Sequence, residues 1–280
     1  MTLEVIWFRI CEYGIFFNFY SYKLKYIQSF YLYLILNQQI TLIIMEIFNT
    51  FNLIGDVPTD LVSFTFFIGT MAMMAASVFF FLSINAVDAK WRSSILVSGL
   101  ITFIAAVHYY YMRDANIEGG DTTFFRYVDW ILTVPLMCVE FYLILRAAGA
   151  TKSLMWKLIA LSTIMLVTGY VGEAGLGNAA LWGAFSGAAY FYIAYMIWFG
   201  EAKALAVKAG GAVESAHNTL AWFVLVGWAI YPLGYMLGTD GWYSGLQNII
   251  ALDMDVVYNI GDAVNKIGFG LVVYNLAVSK

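Results

Sequence analysis

The sequence predicts an all-α membrane protein, a bundle of seven transmembrane helices. Hydrophobic residues make up 62% of the 280-residue chain, and charged residues only 11%. The mean hydropathy is +0.78. Because water-soluble domains carry about 25% charged residues, the bilayer is the expected solvent. The third observation is that apolar stretches of spanning length recur along the chain between short polar breaks.

Each predicted segment satisfies the requirement of about 20 mostly apolar residues for a helix that crosses the hydrocarbon core. The breaks are polar or rich in glycine, as in "DANIEGGD" and "GTDGWYSG", and the longest is "EAKALAVKAGGAVES". No stretch indicates a soluble domain. The seven predicted segments are 61–85, 93–113, 122–146, 153–173, 178–200, 218–238 and 246–277.

The distribution of basic residues predicts the orientation. Lysine and arginine collect at alternating ends of the segments, for example at Lys90, Arg146, Lys203 and Lys280, whereas Arg113 is alone at the opposite ends. Cytoplasmic ends are enriched in these residues. We therefore expect a multi-pass protein of the cell (plasma) membrane with a cytoplasmic C-terminus.

Residues 1–44 differ in composition from the rest and show no signal-peptide order. We interpret them as a translated upstream extension, and residues 45–280 as the functional seven-helix domain. The net charge of −4 and the scattered basic residues exclude a nucleic-acid-binding surface. Two distant cysteines, Cys11 and Cys138, indicate neither a disulfide framework nor a metal site.

Lys266 lies well inside the seventh segment, where a lone ammonium is very costly. One solution is a carboxylate partner, and Asp262 is four residues earlier on the same helix face. The other is condensation of the amine with an aldehyde to form a Schiff base, for which a buried lysine is suited. A plain ion pair that locks two helices accounts for this segment equally well.

The third segment, "RYVDWILTVPLMCVEF", carries a polar column. Asp129, Thr133, Met137 and Glu140 fall within about 80° of one another around a helix, and the two carboxyls are separated by about 16 Å along its axis. Arg126 is one turn from Asp129. Such a column suits proton transfer to and from a central group, with Asp129 on one side and Glu140 on the other. Structural hydrogen bonding of each carboxyl is the alternative.

His108, in "AAVHYYYMRD", is a further candidate, because an imidazole beside Asp129 would share its negative charge. A histidine that is only hydrogen-bonded between helices is the more ordinary explanation.

These strings together resemble the microbial (type 1) rhodopsins, and most of all the proteorhodopsin group of light-driven proton pumps. The resemblance is carried by "RYVDWILTVPLMCVEF", "GYVGEAG", "GWAIYPLGY" and "YNIGDAVNKIGFGLVVYNLAV", which occur in the family's order from about residue 45 onward. It implies an ion transporter rather than an enzyme, with all-trans retinal in the core of the bundle.

The resemblance also implies roles for the charged residues. Lys266 would hold retinal as a protonated Schiff base, with Asp129 as counterion and proton acceptor and Asp262 as second counterion. Glu140 would be the cytoplasmic proton donor. Two further implied assignments are Arg126 in the counterion complex and His108 hydrogen-bonded to Asp129. Asp, Thr and Glu at positions 129, 133 and 140 match the set of outward proton pumps.

The retinal pocket implied by the resemblance has walls formed by Trp130, Trp228, Tyr231 and Pro232, and the flat aromatic faces among them suit a long conjugated chain. Met137 occupies the colour-tuning position, where an apolar side chain resembles green-absorbing members. Ordinary bundle packing explains the same residues without a ligand.

Further implications concern partners. Gly183 resembles the glycine beside which a carotenoid antenna lies in xanthorhodopsin-like pumps, although close helix packing also uses glycine. Rings of five or six protomers are common in the family. A sensory photoreceptor that signals through a partner is the alternative function. Candidates for the proton-release group are Glu173, Asp253 and Asp255.

Overall fold

The computed structural model describes residues 60–241, 243, 245 and 253–279. The predicted extension 1–44 and the predicted start of the seventh segment lie outside these residues. The described residues form α-helices and short 3-10 turns, with no strand. The α-helices are α1 (Leu61–Ser83), α2 (Arg92–Ile117), α3 (Thr123–Leu145), α4 (Lys152–Glu173), α5 (Ala179–Trp198), α6 (Glu201–Ala209), α7 (Gly211–Leu225), α8 (Ile230–Gly238) and α9 (Met254–Val278).

The helices form the seven spans that the sequence predicts. Within the described residues, six helical stretches are long and apolar enough to cross a membrane: α1, α2, α3, α4, α5 with α6, and α7 with α8. The seventh, α9, has 25 residues. It is less apolar because it contains Asp255, Asp262 and Lys266. The chain is therefore a multi-pass, all-α membrane protein with a seven-helix bundle.

Side-chain caps explain where several spans begin. Asp60 precedes α1, and its Oδ1 accepts a hydrogen bond from the Ser63 N–H at 2.8 Å. This bond holds the pKa of Asp60 below its ordinary value, because it stabilises the carboxylate. Asn178 caps α5 through the Leu181 N–H at 2.9 Å. Such caps satisfy backbone donors that the first helical turn leaves unpaired.

The prediction that "EAKALAVKAGGAVES" forms a loop is wrong, because most of this stretch is helical. Glu201–Ala209 forms α6, and Gly211 already begins α7, seven residues before the predicted start of the sixth segment. Alanine, lysine and glutamate are strong helix formers, so this polar stretch still favours helix. The break falls at Gly210 and Gly211, which both have positive φ.

The sixth span is interrupted between α7 and α8 by a 3-10 turn at Gly227–Ala229. Pro232 lies in the first turn of α8 and has no N–H to donate to the carbonyl four residues earlier, at Trp228. The backbone tightens instead, with the Ala229 N–H donating to the Val226 carbonyl at 3.2 Å. The irregular turn thus places Trp228 at a discontinuity in the span.

Polar residues of α3 and α9 lie inside the bundle, while large apolar side chains face outward. The span α9 contacts α1, α2 and α7, and α3 contacts its neighbours α2 and α4. Leu82, Phe191 and Phe199 are at least 66% exposed. An apolar exterior around a polar interior is the arrangement that a lipid bilayer requires.

Candidate functional site

The centre of the site is the Lys266 ammonium, held between two carboxylates. Its Nζ donates to Asp129 Oδ2 at 2.5 Å and to Asp262 Oδ2 at 2.7 Å. All three side chains are at most 1% exposed. Two carboxylates facing one amine give the cluster an excess negative charge, which suits a nitrogen that stays cationic. The ion pair predicted between Asp262 and Lys266 is confirmed, and Asp129 of α3 joins it.

Two polar atoms at this centre have no hydrogen-bond partner in the described part of the chain. They are Asp129 Oδ1 and Trp130 Nε1, both buried. By contrast, both oxygens of Asp262 are engaged, because Tyr231 donates its hydroxyl to Oδ1 at 2.7 Å. Buried polar atoms usually have hydrogen-bond partners, so these two atoms are available to bond water or a ligand beside Lys266.

Arg126 pairs across the bundle with α9 rather than with Asp129. Its guanidinium donates to Asp255 Oδ1 at 2.7 Å and to Asn259 Oδ1 at 3.2 Å. It also lies over the ring of Tyr258, 5.1 Å from the centroid. No hydrogen bond from Arg126 to Asp129 occurs within the described residues, and the place of Arg126 in the counterion complex stays a prediction. The guanidinium instead reaches α9, where the side-chain oxygens of two different residues each accept one hydrogen bond.

His108 does not hydrogen-bond Asp129 in this structure. Its Nδ1 lies 2.8 Å from the carbonyl oxygen of Ile104, in the preceding turn of α2. Intrahelical bonding of this kind satisfies the ring locally. His108 still lies close enough to Asp129 for an electrostatic interaction. The predicted hydrogen bond is absent, and any role of His108 in proton transfer stays a prediction.

The predicted column of α3 faces the interior along its whole length. Asp129, Thr133 and Glu140 are fully buried, and Met137 is 1% exposed. The Thr133 hydroxyl donates to the backbone carbonyl of Asp129 at 2.9 Å. The Thr133 hydroxyl is thus satisfied within α3, and no hydrogen bond from it to the Asp129 carboxylate is found among the described residues.

Glu140 occupies the other end of the column, and its surroundings differ from those of Asp129. The Ser98 hydroxyl donates to Glu140 Oε1 at 3.1 Å. Glu140 Oε2 has no partner within the described residues, and no salt bridge reaches the carboxyl there. A fully buried carboxyl with neutral hydroxyl neighbours and no cation among the described residues is suited to carry a proton rather than a charge.

Some of the residues that the resemblance implies as a retinal pocket pack together near the carboxylates that contact Lys266. The Trp130 ring packs edge-on against Tyr231 at 4.7 Å and against Tyr258 at 5.6 Å between centroids. Trp228 is 3% exposed at the break in the sixth span, and Pro232 follows it in α8. Flat, apolar faces beside a buried amine can hold an extended conjugated ligand.

The three candidate release carboxylates have distinct contacts. Glu173 Oε2 accepts the Tyr127 hydroxyl at 2.7 Å. Asp255 pairs with Arg126, and Asp253 caps α9 by accepting from the backbone N–H of Asp255. Capping explains Asp253 without a role in proton transfer.

Gly183 is explained by close packing. A Cβ at this position would lie 2.5 Å from the Tyr235 ring, so only glycine leaves room for that ring. The Tyr235 hydroxyl in turn donates to the Ala179 carbonyl at 2.6 Å. Tyr235 therefore occupies space beside the glycine for which a carotenoid was predicted.

Sequence reasoning missed Asn259, which links three helices. Its Oδ1 accepts from Arg126, and its Nδ2 donates to Thr65 Oγ1 of α1 at 3.0 Å. The available signal was its spacing, seven residues before Lys266 and hence on the same helix face. Ser98 was also missed, since a single serine in an apolar helix gives no signal of its partner. No group of three potential metal ligands occurs among residues 60–241 and 253–279.

Comparison with known proteins places this geometry among the rhodopsins. The model of the bacteriorhodopsin-like protein family matches residues 60–280. A green-light absorbing proteorhodopsin from Gamma-proteobacterium EBAC31A08 is 47% identical over 226 residues, or 79% of this chain and 88% of that protein. A blue-light absorbing proteorhodopsin from Gamma-proteobacterium Hot 75m4 is 46% identical, over 79% of this chain and 88% of that protein.

Solved structures agree. A blue light-absorbing proteorhodopsin from Med12 superposes with a TM-score of 0.65 at 41% identity, covering 78% of this chain and 98% of that chain. Xanthorhodopsin, described as a light-driven ion pump with dual chromophore, gives a TM-score of 0.66 at 30% identity, covering 78% of this chain and 92% of that chain.

Proposed function

This chain belongs to the bacteriorhodopsin-like family of microbial rhodopsins, and on that premise we propose that it is a light-driven outward proton pump. All-trans retinal would be bound to Lys266 as a protonated Schiff base. One observation carries the proposal: the buried Lys266 Nζ lies between the carboxylates of Asp129 and Asp262. A transporter of this kind moves a proton and catalyses no chemical conversion of a substrate.

The residues present fit retinal. The amine needed for the covalent link is buried, and two carboxylates can balance the positive nitrogen. Tyr231 donates to one of these carboxylates, and the Trp130 ring packs against Tyr231. The unpaired Asp129 Oδ1 and Trp130 Nε1 leave hydrogen-bonding capacity at the same place. When bound, retinal supplies absorption of visible light and a light-driven change of shape.

Asp129 is the proposed proton acceptor. Its Oδ2 lies 2.5 Å from Lys266 Nζ, so a proton can pass directly from the nitrogen to the carboxylate. Asp262 accepts hydrogen bonds from both Lys266 Nζ and the Tyr231 hydroxyl, so both of its oxygens are engaged. The two carboxylates thus have different proposed roles: Asp129 receives the proton, and Asp262 stabilises the positive charge on Lys266 Nζ.

Glu140 is the proposed donor that returns a proton to Lys266 Nζ. It lies on the same buried face of α3 as Asp129, about 16 Å away along the axis, on the opposite side of the central amine. Its burial beside Ser98 without a cation suits a stored proton. Because the proton leaves toward Asp129 and is replaced from Glu140, transport has one direction.

The direction relative to the cell follows from the basic residues. Lys152, Lys203 and Lys208 are at the same side of the bundle as the Glu140 end of α3, the side that we assign to the cytoplasm of the cell membrane. Protons would enter at Glu140 and leave beyond Asp129. Arg126, Asp255 and Glu173 lie on this exit side and are the proposed release region.

Three finer features are also proposed. Green absorption is expected because Met137 is apolar and buried. The assembly is expected to be a homo-oligomer of five or six protomers, which mass measurement in detergent would determine. A carotenoid antenna is supported by the likeness to xanthorhodopsin, but Tyr235 must turn aside for it. Absence of energy transfer from an added hydroxylated carotenoid would exclude the antenna.

The deciding experiment is light-dependent acidification of the medium by cells that express the chain and are fed all-trans retinal. We expect acidification that an uncoupler abolishes, and none from cells that express Asp129→Asn. A coloured protein that cycles in light without acidifying the medium would contradict pumping and favour the sensory alternative. A colourless protein would contradict retinal binding itself.

A further inference from the structure

The sixth span is tied at its break by side chains from two other helices. Tyr190 of α5 donates its hydroxyl to the carbonyls of Val224 at 3.1 Å and Leu225 at 2.8 Å, in the last turn of α7. From the opposite side, Asn265 of α9 donates its Nδ2 to the carbonyl of Gly227 at 2.8 Å. These bonds satisfy backbone acceptors where the helix is irregular.

Asn265 fits the break closely. It is 4% exposed, and a Cβ at Gly227 would overlap its amide oxygen. Glycine at 227 is therefore needed for the amide to reach the backbone. Because a larger residue would push the side chain away, the pair is complementary in shape as well as in hydrogen bonding.

The same amide is next to the reactive centre. Asn265 immediately precedes Lys266, and Gly227 immediately precedes Trp228, a proposed wall of the retinal pocket. The Asn265 amide also lies near the Tyr231 hydroxyl, which donates to Asp262. Neighbouring polar groups thus run from the Lys266 counterion to the irregular turn of the sixth span.

We propose that Asn265 is a positioning residue that couples the chromophore lysine to movement of the sixth span at Gly227. The turn at Gly227–Ala229 is where the sixth span is irregular and can yield, and Asn265 ties this turn to the residue next to Lys266. The Asn265 bond holds this turn in the resting arrangement. Breaking the bond permits the turn to shift, and re-forming it restores the resting state.

The inference rests on the proposed function and is tested by flash photolysis of retinal-loaded protein. Asn265→Leu keeps approximate volume but removes the donor, so the resting turn is stabilised less and the resting absorption should recover about fivefold more slowly. Gly227→Ala displaces the amide without changing it and should slow recovery likewise. It serves as an independent variant should Asn265→Leu fail to fold.

The matched control is Trp198→Phe. Trp198 donates its Nε1 to the Ala221 carbonyl at 3.1 Å, a bond to the same span within its regular part. This variant should lower the thermal bleaching temperature yet keep recovery within about twofold of the unmodified protein.

Recovery of Asn265→Leu at the unmodified rate, with a lowered bleaching temperature like that of Trp198→Phe, would overturn the coupling role and leave the bond purely structural. Equal slowing by all three variants would overturn it too, because any bond to the span would then suffice. If the unmodified protein binds retinal but shows no light-induced change, both this inference and the pump are wrong. If it binds and cycles without acidifying the medium, only pumping is wrong.

Discussion

Asp129 and Lys266 are 137 residues apart in the chain, yet their side-chain atoms Oδ2 and Nζ lie 2.5 Å apart in the core of the bundle. This contact joins the third span to the seventh. It brings the polar column of α3 to the one amine buried between two carboxylates in the described residues.

Replacement of Lys266 by alanine should abolish formation of a visible chromophore, because no other buried amine in the described bundle contacts these carboxylates. The measurement is the absorption spectrum after addition of all-trans retinal, with the mass of the denatured protein as a check for the covalent adduct. Lys203→Ala, which loses a lysine bonded to Asn218 in the α6–α7 region, is the control and should colour normally. An adduct on the Lys266→Ala protein would contradict the assignment.

Acidification of the buffer should shift the absorption of the retinal-loaded protein to the red. As the pH falls through the pKa of Asp129, its carboxylate gains a proton, and the negative charge beside Lys266 Nζ is lost. The same protonation removes the acceptor, so outward pumping should fall over the same pH range. Spectra and pumping recorded from about pH 8 to about pH 3 test this. A spectrum that does not change with pH would exclude Asp129 as counterion.

The variant Glu140→Gln should slow the return of a proton to Lys266 Nζ by about 100-fold, since an amide has no acidic proton to transfer. Flash photolysis measures this step. The control Ser98→Ala removes the hydrogen bond to Glu140 Oε1 but keeps the carboxyl, and should slow the step by no more than about fivefold. Unchanged kinetics in Glu140→Gln would require a different donor.

Asp255→Asn should destabilise the bundle by about 1–2 kcal/mol, because the buried Arg126 loses its charged partner. The value is kept small, since the Asp255 side chain is 42% exposed and solvent screens the pair. Thermal bleaching measures the change. Lys157→Ala, which breaks an exposed pair with Glu201, should leave the bleaching temperature unchanged. Equal changes of the bleaching temperature in the two variants would show that the Arg126–Asp255 pair stabilises the bundle no more than an exposed pair does.

Met137→Gln should move the absorption maximum toward the blue. The side chain at 137 is buried on the same polar column of α3 as Asp129. A polar amide at this position would redistribute charge along a bound polyene. Met137→Leu is the apolar control and should leave the colour nearly unchanged. A shift of the same size in both variants would point to side-chain volume rather than polarity.

The bundle could be predicted from the sequence because each span is marked by a run of about 20 mostly apolar residues. The first five helices begin within about two residues of the predicted segments, where caps such as Asp60 and Asn178 mark the boundary. The prediction failed after Trp198. The low hydropathy of "EAKALAVKAGGAVES" indicates a break between spans, whereas the helix propensity of its residues makes it helical.

The site was predictable as far as it lies on single helices. Helical periodicity correctly brings Asp129 and Glu140 to one buried face, and Asp262 beside Lys266. Pairings between helices were not predictable, because they depend on the rotation and depth of each helix. Arg126 therefore contacts Asp255 and Asn259, and the bond from Asn265 to Gly227 gave no sequence signal.

The composition of α9 has a consequence for biogenesis. This helix carries Asp255, Asp262 and Lys266, and a lone ammonium in hydrocarbon is expelled toward water. Asp262 balances Lys266 within α9 itself, and Asp129, the second carboxylate on its Nζ, belongs to a helix synthesised earlier. Insertion of the final span is therefore easiest once α3 stands in the bilayer, because the bundle then shields these charges from lipid. A chain in which α3 is misplaced would present the charges of α9 to lipid and become a target for membrane proteases.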